Sequence, residues 1–380
     1  SNEPQLDSFL SPITFKPNCF EISFNCLACL MFKPDKIRNP PLDRFEMKGL
    51  IKFFIGLNKI FITGVAGMIG SNLARKILKS GHAVVGIDNL WRGTLDNISD
   101  LMEHENFSFR KADIISDTDW FSDMKHEDTI IHVADIVAGI GYVFANEWDV
   151  FSSNLKINNM IAQIVTNFEP ERLIYLGTAC SYPQNMQRSV NESVLQESDK
   201  FPADPESGYG WSKLIGEIEF KLAVKDASTK LIVLDLHNVY GWPCVYNDET
   251  SQVIPSLINR ALLSKNGKLE VWGDGSQGRG FLHVNDVISA VEKSIDYSGD
   301  VSNFMIGPDF CTSISELANI IVANDLLPVN EVIYDTSKPM GDIGRFANSS
   351  LAQKELGWSV STDFSEEINA LIEKIVEDAK

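Results

Sequence analysis

The chain has 380 residues, 44% of them hydrophobic, and a formal net charge of −19. That length holds one large core or two domains. The acidity, with no basic block, speaks against a nucleic-acid partner, and no apolar run reaches the length of a membrane span.

The longest early apolar run, ISFNCLACLMF, lies between Glu21 and Lys33 and lacks the layout of a secretory signal. Six cysteines in a chain this long do not suggest a disulfide scaffold, so a reducing cytoplasm is the expected compartment. Cys26 and Cys29 form a C-x-x-C with Cys19 nearby, but no histidine is close, and no metal site is expected. Residues 1–57 are read as an extension outside the catalytic fold. A chain starting near Met47 is expected to keep cofactor binding.

From Lys59 a βα rhythm begins. KIFIT reads as a strand, and MIGSNLARKILKS carries helical spacing that Gly81 can stop. AVVGID, FSFRKAD, TIIHVA, RLIYLG and KLIVLDL follow as short apolar runs, with helical stretches near 153–168 and 209–224. Alternating strands and helices predict an α/β fold, a doubly wound parallel sheet of Rossmann type. The dinucleotide-binding domain is placed at 58–238. Residues 239–380, with helices near 253–263, 284–297 and 313–324, are placed mainly in a smaller C-terminal substrate-binding lobe. A strand near 302–307 is expected to return to the sheet.

ITGVAGMIGSNL sets Gly64, Gly67 and Gly70 between a strand and a helix. Glycines there let the backbone approach a pyrophosphate at a helix N-terminus. The next strand ends in Asp88, where a carboxylate can accept hydrogen bonds from a ribose and repel a 2′-phosphate. NAD is therefore favoured over NADP, with Arg92 as the one nearby residue that argues the other way. Asp113 and Ile114 close the third strand, where an acid can meet the adenine amino group.

YGWSK places Tyr209 and Lys213 four apart, on one face of a helix. A phenol near pKa 10 is a poor base at neutral pH, and an ammonium and a cationic nicotinamide are expected to lower it. Tyr209 then takes a proton from a sugar hydroxyl while hydride leaves the same carbon. Thr178, at the end of a central strand, holds that hydroxyl. A surface-helix Tyr and Lys with a turn-forming threonine is the alternative.

These residues stand in TGVAGMIGS, GIDNLWRG, ADI, HVAD, GTACSYP, YGWSK, HNVYG, VIPSLI, VWGDGSQGRGFLHVNDV and KELGW. Their kinds and order resemble the extended short-chain dehydrogenase/reductase family, in particular its NAD-dependent nucleotide-sugar epimerases and dehydratases, from about 59 to 376. The resemblance implies that Met68 and Ile69 contact the cofactor phosphates and that Asp88, Asn89, Asp113 and Ile114 hold the adenosine end. Ala134 would line the cofactor cleft. Asn238 would touch the sugar nucleotide, and Arg279 and Arg345 its diphosphate, which an arginine fork fits well. It also implies a homodimer formed through a helix pair.

The family's 4,6-dehydratases typically carry Thr-Asp-Glu where this chain has Thr178-Ala179-Cys180. The A-C-x-Y-P pattern instead resembles the GDP-mannose 3,5-epimerases and GDP-fucose synthases, where a cysteine moves protons beside a ketone. ADIVAGIGYVFANEWDV, with Gly139, is similar to the substrate loop of the former, as is HNVYG with its His237. The lysine those epimerases carry in the following loop is absent from WPCVYNDETSQ. Water or Tyr182 is left as the second proton-transfer group, and Asp235 replaces an arginine common just before HNVYG. The expected function is a nucleotide-sugar epimerase acting through a 4-keto intermediate, with Cys180 as base at C3 or C5. A 4-epimerase, a 4-dehydrogenase and a non-catalytic NAD-binding scaffold remain alternatives, with Cys180 then only a packed apolar side chain.

Overall fold

The computed structural model describes residues 58–187, 194–337 and 343–380. The amino-terminal cysteines, the C-x-x-C and Met47 lie outside the described residues.

Among the described residues, seven strands form the main sheet. They are β1 (Lys59–Thr63), β2 (Ala83–Asp88), β3 (Phe107–Lys111), β4 (Thr129–His132), β5 (Arg172–Thr178), β6 (Lys230–Leu236) and β7 (Asn303–Ile306). Their order is β7-β6-β5-β4-β1-β2-β3, and every neighbouring pair is parallel. The order reverses at β1, which pairs with both β2 and β4. In open α/β sheets a crevice opens at such a point, at the carboxyl ends of the strands.

The central strands read as near-unbroken apolar runs because both of their faces are covered, whereas the edge strand β3, FSFRK, is only partly buried. Ile60, Ile62, Ile131, Ile174, Leu176, Ile232 and Leu234 point to one side. There they meet Leu73, Ala74, Ile77 and Leu78 of helix α1 (Met68–Lys79). Phe61, Ile130, Leu173, Tyr175, Leu231 and Val233 point to the other side. They meet Ile157, Ile161 and Val165 of α2 (Glu147–Phe168) and Phe220 of α3 (Gly208–Ala223). Each fully buried Leu, Ile or Phe side chain contributes about 1.5–3 kcal/mol. The first face is completed by α4 (Val284–Ile295), which packs on α1. β2 and β3, and β3 and β4, are joined by 3₁₀ turns, Leu95–Leu101 and Asp119–Phe121, rather than by full helices.

A second core lies in the C-terminal part. Helices Val253–Leu262, Ile314–Val322 and Phe364–Asp378 surround the strand Lys268–Trp272, which pairs in parallel with Glu331–Asp335. Short strands place arginines in register there. Gly278–Arg279 pairs in parallel with Gly344–Ala347, so Arg279 lies opposite Arg345.

Candidate active site

The ends of β1, β2, β4, β5 and β6 open into a cleft of about 1890 Å³. It is lined by the glycine loop, Asp88, Ala134, Asp135, Thr178, Cys180, Tyr209, Asn238, Arg279 and Arg345 among others.

The glycine loop is built by close approach. A Cβ on Gly70 would lie 2.2 Å from the Gly64 carbonyl oxygen, and one on Gly64 would lie 3.0 Å from the Ala134 backbone. Gly64 also has φ +71, a left-handed conformation that favours glycine. The first turn of α1 therefore rests on the end of β1, directly over the end of β4. Met68 and Ile69 open that helix at the cleft wall. At Gly67, by contrast, a Cβ would meet only the Gly64 carbonyl oxygen at 3.4 Å, an ordinary contact. A backbone cradle of this kind suits a pyrophosphate.

At the end of β2 the Asp88 carboxylate accepts from the amides of Ala66 (2.9 Å) and Leu90 (2.7 Å). Burial raises its pKa above the usual carboxylate value, opposed by those two amides. Asn89 donates to Asp113 at 3.0 Å, tying the ends of β2 and β3 together, and Ile114 is buried beside them. Arg92 donates to the carbonyls of Val137 and Thr250 (3.2 Å to the latter) and so is engaged by two loops. Glycine cradle, Asp88 and the occupied Arg92 together fit NAD. No group of three or more His, Cys, Asp or Glu side chains suited to a metal occurs among the described residues.

β5 delivers Thr178 and Cys180. Thr178 caps the short 3₁₀ turn Ala179–Ser181, its Oγ1 accepting from the Cys180 amide at 3.2 Å. Arg345 is buried, 6% exposed, and donates from Nη2 to Cys180 Sγ at 3.1 Å and from Nη1 to Gln187. Arg345, expected at the diphosphate, lines the cleft and also turns its fork toward the cysteine. Arg279, in register beside it, lines the same cleft.

α3 delivers Tyr209 and Lys213. Ser207 caps it, accepting from the Gly210 amide at 3.3 Å. Gly210 is the contact point: a Cβ there would lie 2.2 Å from the Cys180 carbonyl oxygen. The glycine of YGWSK lets α3 touch the turn that carries Cys180, and it brings the two catalytic candidates from β5 and α3 into one site. The structure therefore brings together Thr178, Cys180, Tyr209, Lys213, Asn238, Arg279 and Arg345. Gly139 is at the opposite rim, where its amide donates to the Thr250 carbonyl at 3.0 Å.

Sequence reasoning missed Asp135. Its carboxylate lies 3.0 Å from Lys213 Nζ and accepts from Tyr209 Oη at 3.4 Å. Burial, then Asp135 and Cys180, push the Tyr209 phenol well above its ordinary pKa. Among the chain's own groups the expected lowering by Lys213 is outweighed, first by burial and then by the Asp135 carboxylate. For Lys213 burial works against the charge, and Asp135 with Tyr175 more than offsets it, so its pKa is raised. The signal for Asp135 was its place: like Asp88 and Asp113, it follows the end of a strand that borders the crevice.

Tyr182 is corrected as well. It is fully buried and donates to Asp235 at 3.0 Å. Lys200 lies 2.7 Å from the same carboxylate and also pairs with Glu217. Asp235 therefore belongs to a buried ion network, with Lys200 supplying its cation. Tyr182 is tied into that network and does not line the cleft.

The family model described as "NAD dependent epimerase/dehydratase family" matches residues 60–307. The chain belongs to this family. GDP-mannose 3,5-epimerase 1 of Oryza sativa subsp. indica is 28% identical over 305 residues, 79% of this chain and 77% of that protein. UDP-glucose 4-epimerase of Thermotoga maritima, solved with UDP-glucose, superposes with a TM-score of 0.73 at 21% identity, covering 85% of this chain and all of that one. UDP-glucuronic acid 4-epimerase of Bacillus cereus, solved with UDP-glucuronic acid and NAD, gives 0.71 at 22% identity, covering 85% and 100%. The epimerase/dehydratase family is NAD-dependent, which agrees with the cradle at the glycine loop.

Proposed function

We propose that this chain is a nucleotide-sugar epimerase that works through a 4-keto sugar, with GDP-sugars as the first substrates to test. The observation that carries it is the meeting of Thr178, Cys180 and Tyr209 in one cleft beside the glycine loop, with Lys213 held next to Tyr209 by Asp135. Bound NAD supplies the removal of hydride from C4 of the sugar and its return.

With NAD bound, the cationic ring would work against the raising of the Tyr209 phenol by burial and Asp135, and as phenolate Tyr209 would accept the proton of the C4 hydroxyl and later give it back. Thr178 Oγ1 already accepts from the Cys180 amide, so its own hydrogen is available to hold that sugar oxygen. The 4-ketone acidifies the hydrogens at C3 and C5. Cys180, as its thiolate, removes one of them and becomes the thiol, while the negative charge passes to the C4 oxygen as an enolate; the Arg345 fork, donating to the sulfur at 3.1 Å, holds the thiolate in place before the transfer. Reprotonation on the other face inverts that centre. Asn238 and Arg279 are assigned to the sugar nucleotide. GDP is favoured by the similarity to GDP-mannose 3,5-epimerase 1.

One observation favours a second reading, a 4-epimerase in which the ketone turns over before hydride returns. Loop 242–252 has no lysine, and Tyr182 is locked to Asp235, so neither supplies an acid for the opposite face. A 4-dehydrogenase would stop after oxidation. A non-catalytic scaffold would have no use for Tyr209, Lys213 and Thr178 together. Incubation with GDP- and UDP-sugars in D₂O, followed by NMR, separates these. Deuterium at C3 or C5 supports the Cys180 route; inversion at C4 without deuterium replaces it with the 4-epimerase.

We also propose a cytoplasmic homodimer formed through α2 and α3. Trp211, Ile218 and Leu222 make an exposed apolar stripe on α3, and Trp148 at the start of α2 is 73% exposed. Light scattering that gives a monomer mass would reject it.

A further inference from the structure

The Asp135–Lys213 pair lies against Tyr209, and Asp135 lines the cleft beside the glycine loop. Tyr209 takes its proton from the same sugar carbon that loses hydride, so the nicotinamide must approach that carbon closely. Asp135 Oδ2 accepts from Tyr209 Oη at 3.4 Å, and its carboxylate lines the cleft that would hold the ring. Its neighbour Ala134 lies directly under Gly64 of the cofactor loop.

Its position is held firmly. Asn154, 1% exposed, accepts from the Ile136 amide at 2.6 Å and donates to the Ile136 carbonyl at 3.2 Å. That clamp fixes the backbone next to Asp135. Lys213 is itself only 4% exposed and is held at 3.0 Å from the carboxylate. Together the two side chains are neutral. Without Asp135, a buried ammonium would face the positive charge of oxidised nicotinamide, and like charges in a poorly solvated site repel strongly.

We propose that the Asp135 carboxylate is the counter-charge that makes this site prefer the oxidised, cationic nicotinamide of NAD over its neutral reduced form. The inference rests on the oxidation role proposed above and deepens it. An epimerase has no net redox change, so it must end each cycle with the cofactor oxidised. A fixed carboxylate beside the ring favours that state. Asp135 touches the cofactor site and Tyr209 without exchanging a proton with the sugar, so it acts as a positioning and electrostatic residue.

The test needs no sugar substrate. Dissociation constants for NAD⁺ and NADH are measured by calorimetry on the full chain after removal of bound nucleotide. Asp135→Asn is expected to shift the affinity ratio toward NADH by about tenfold. Asp135→Glu, which keeps the charge, is expected to stay near the wild-type ratio. Lys213→Met, which leaves the carboxylate alone, is expected to shift the ratio toward NAD⁺. An unchanged ratio in Asp135→Asn overturns the inference. If that variant does not fold, the Lys213→Met measurement decides, and no shift or a shift toward NADH overturns it. Expected ratios in a protein that turns over no sugar would count against the proposed function alone and leave the counter-charge standing.

Discussion

Arg345 donates to Cys180 across 165 residues of sequence, Nη2 to Sγ at 3.1 Å. The arginine is buried on a short strand of the C-terminal part, where Cys311 Sγ holds its carbonyl at 3.2 Å. The cysteine is one turn beyond the end of β5. Two parts of the fold therefore join at the atom proposed to carry the proton. Replacing Arg345 with Lys keeps a charge but loses the planar fork that serves Cys180 and Gln187 together. The expected outcome is proton exchange at C3 or C5 slowed by about tenfold to 100-fold with NAD affinity unchanged. Exchange at the wild-type rate would show that the contact has no role in proton transfer.

Gly210→Ala is expected to damage the site through the backbone. The new Cβ would lie 2.2 Å from the Cys180 carbonyl oxygen, so α3 and the turn after β5 must separate. Overpacking of this kind costs about 1–3 kcal/mol. Because the shift falls between Tyr209 and Cys180, turnover should drop more than stability does. Urea unfolding and turnover measured side by side check this, and a variant with full activity would refute it.

Lys200→Met is expected to be a stability variant. Lys200 is 3% exposed and pairs with Asp235 and Glu217, which are 0% and 3% exposed. Removing the cation leaves two buried carboxylates facing each other, and loss of one partner of a buried pair costs about 3–5 kcal/mol. Urea denaturation should show that loss. A midpoint equal to wild type would mean the network is dispensable.

Stability should fall in mild acid because of two buried histidines. Burial, helped by Lys213 for His132 and by Arg345 for His237, lowers both pKa values to about 3. The unfolded chain takes up these protons near pH 6.5 and the folded chain does not. Between about pH 6.5 and 3 the unfolded state thus binds more protons, and stability is lost as pH falls, by about 1.4 kcal/mol per pH unit for each histidine. His132 bonds to Thr63 and Asn158, whereas neither ring nitrogen of His237 has a partner among the described residues. His237→Asn should flatten the acid limb of a melting profile taken from pH 7 to 4. An unaltered slope would show that His237 does not stay neutral.

Much of this was legible in local sequence. Strand runs such as KIFIT and KLIVLDL are apolar on both faces because helices cover both, and that leaves a continuous signal. The glycine loop, Asp88 and the Tyr209–Lys213 spacing are likewise short-range patterns. What was not legible depends on contacts between distant segments. Nothing near Arg345 in the chain points to Cys180. Tyr182 looked available because it follows Cys180 by two positions, but the 3₁₀ turn Ala179–Ser181 sends it into the core toward Asp235. Asp235 is completed by Lys200, 35 residues earlier, a pairing that no local pattern encodes. Asp135 reads as one acid among many until β4 and α3 place it against Lys213.

The central claim is that Cys180 moves a proton at a carbon next to the C4 ketone. The most direct measurement is Cys180→Ser with the reactive nucleotide sugar in D₂O, following NADH absorbance and deuterium incorporation together. NADH should still form, since Tyr209, Lys213 and Thr178 are intact, while deuterium entry at C3 or C5 falls by about 100-fold or more. Deuterium entering at the wild-type rate would contradict the account and leave Cys180 as packing.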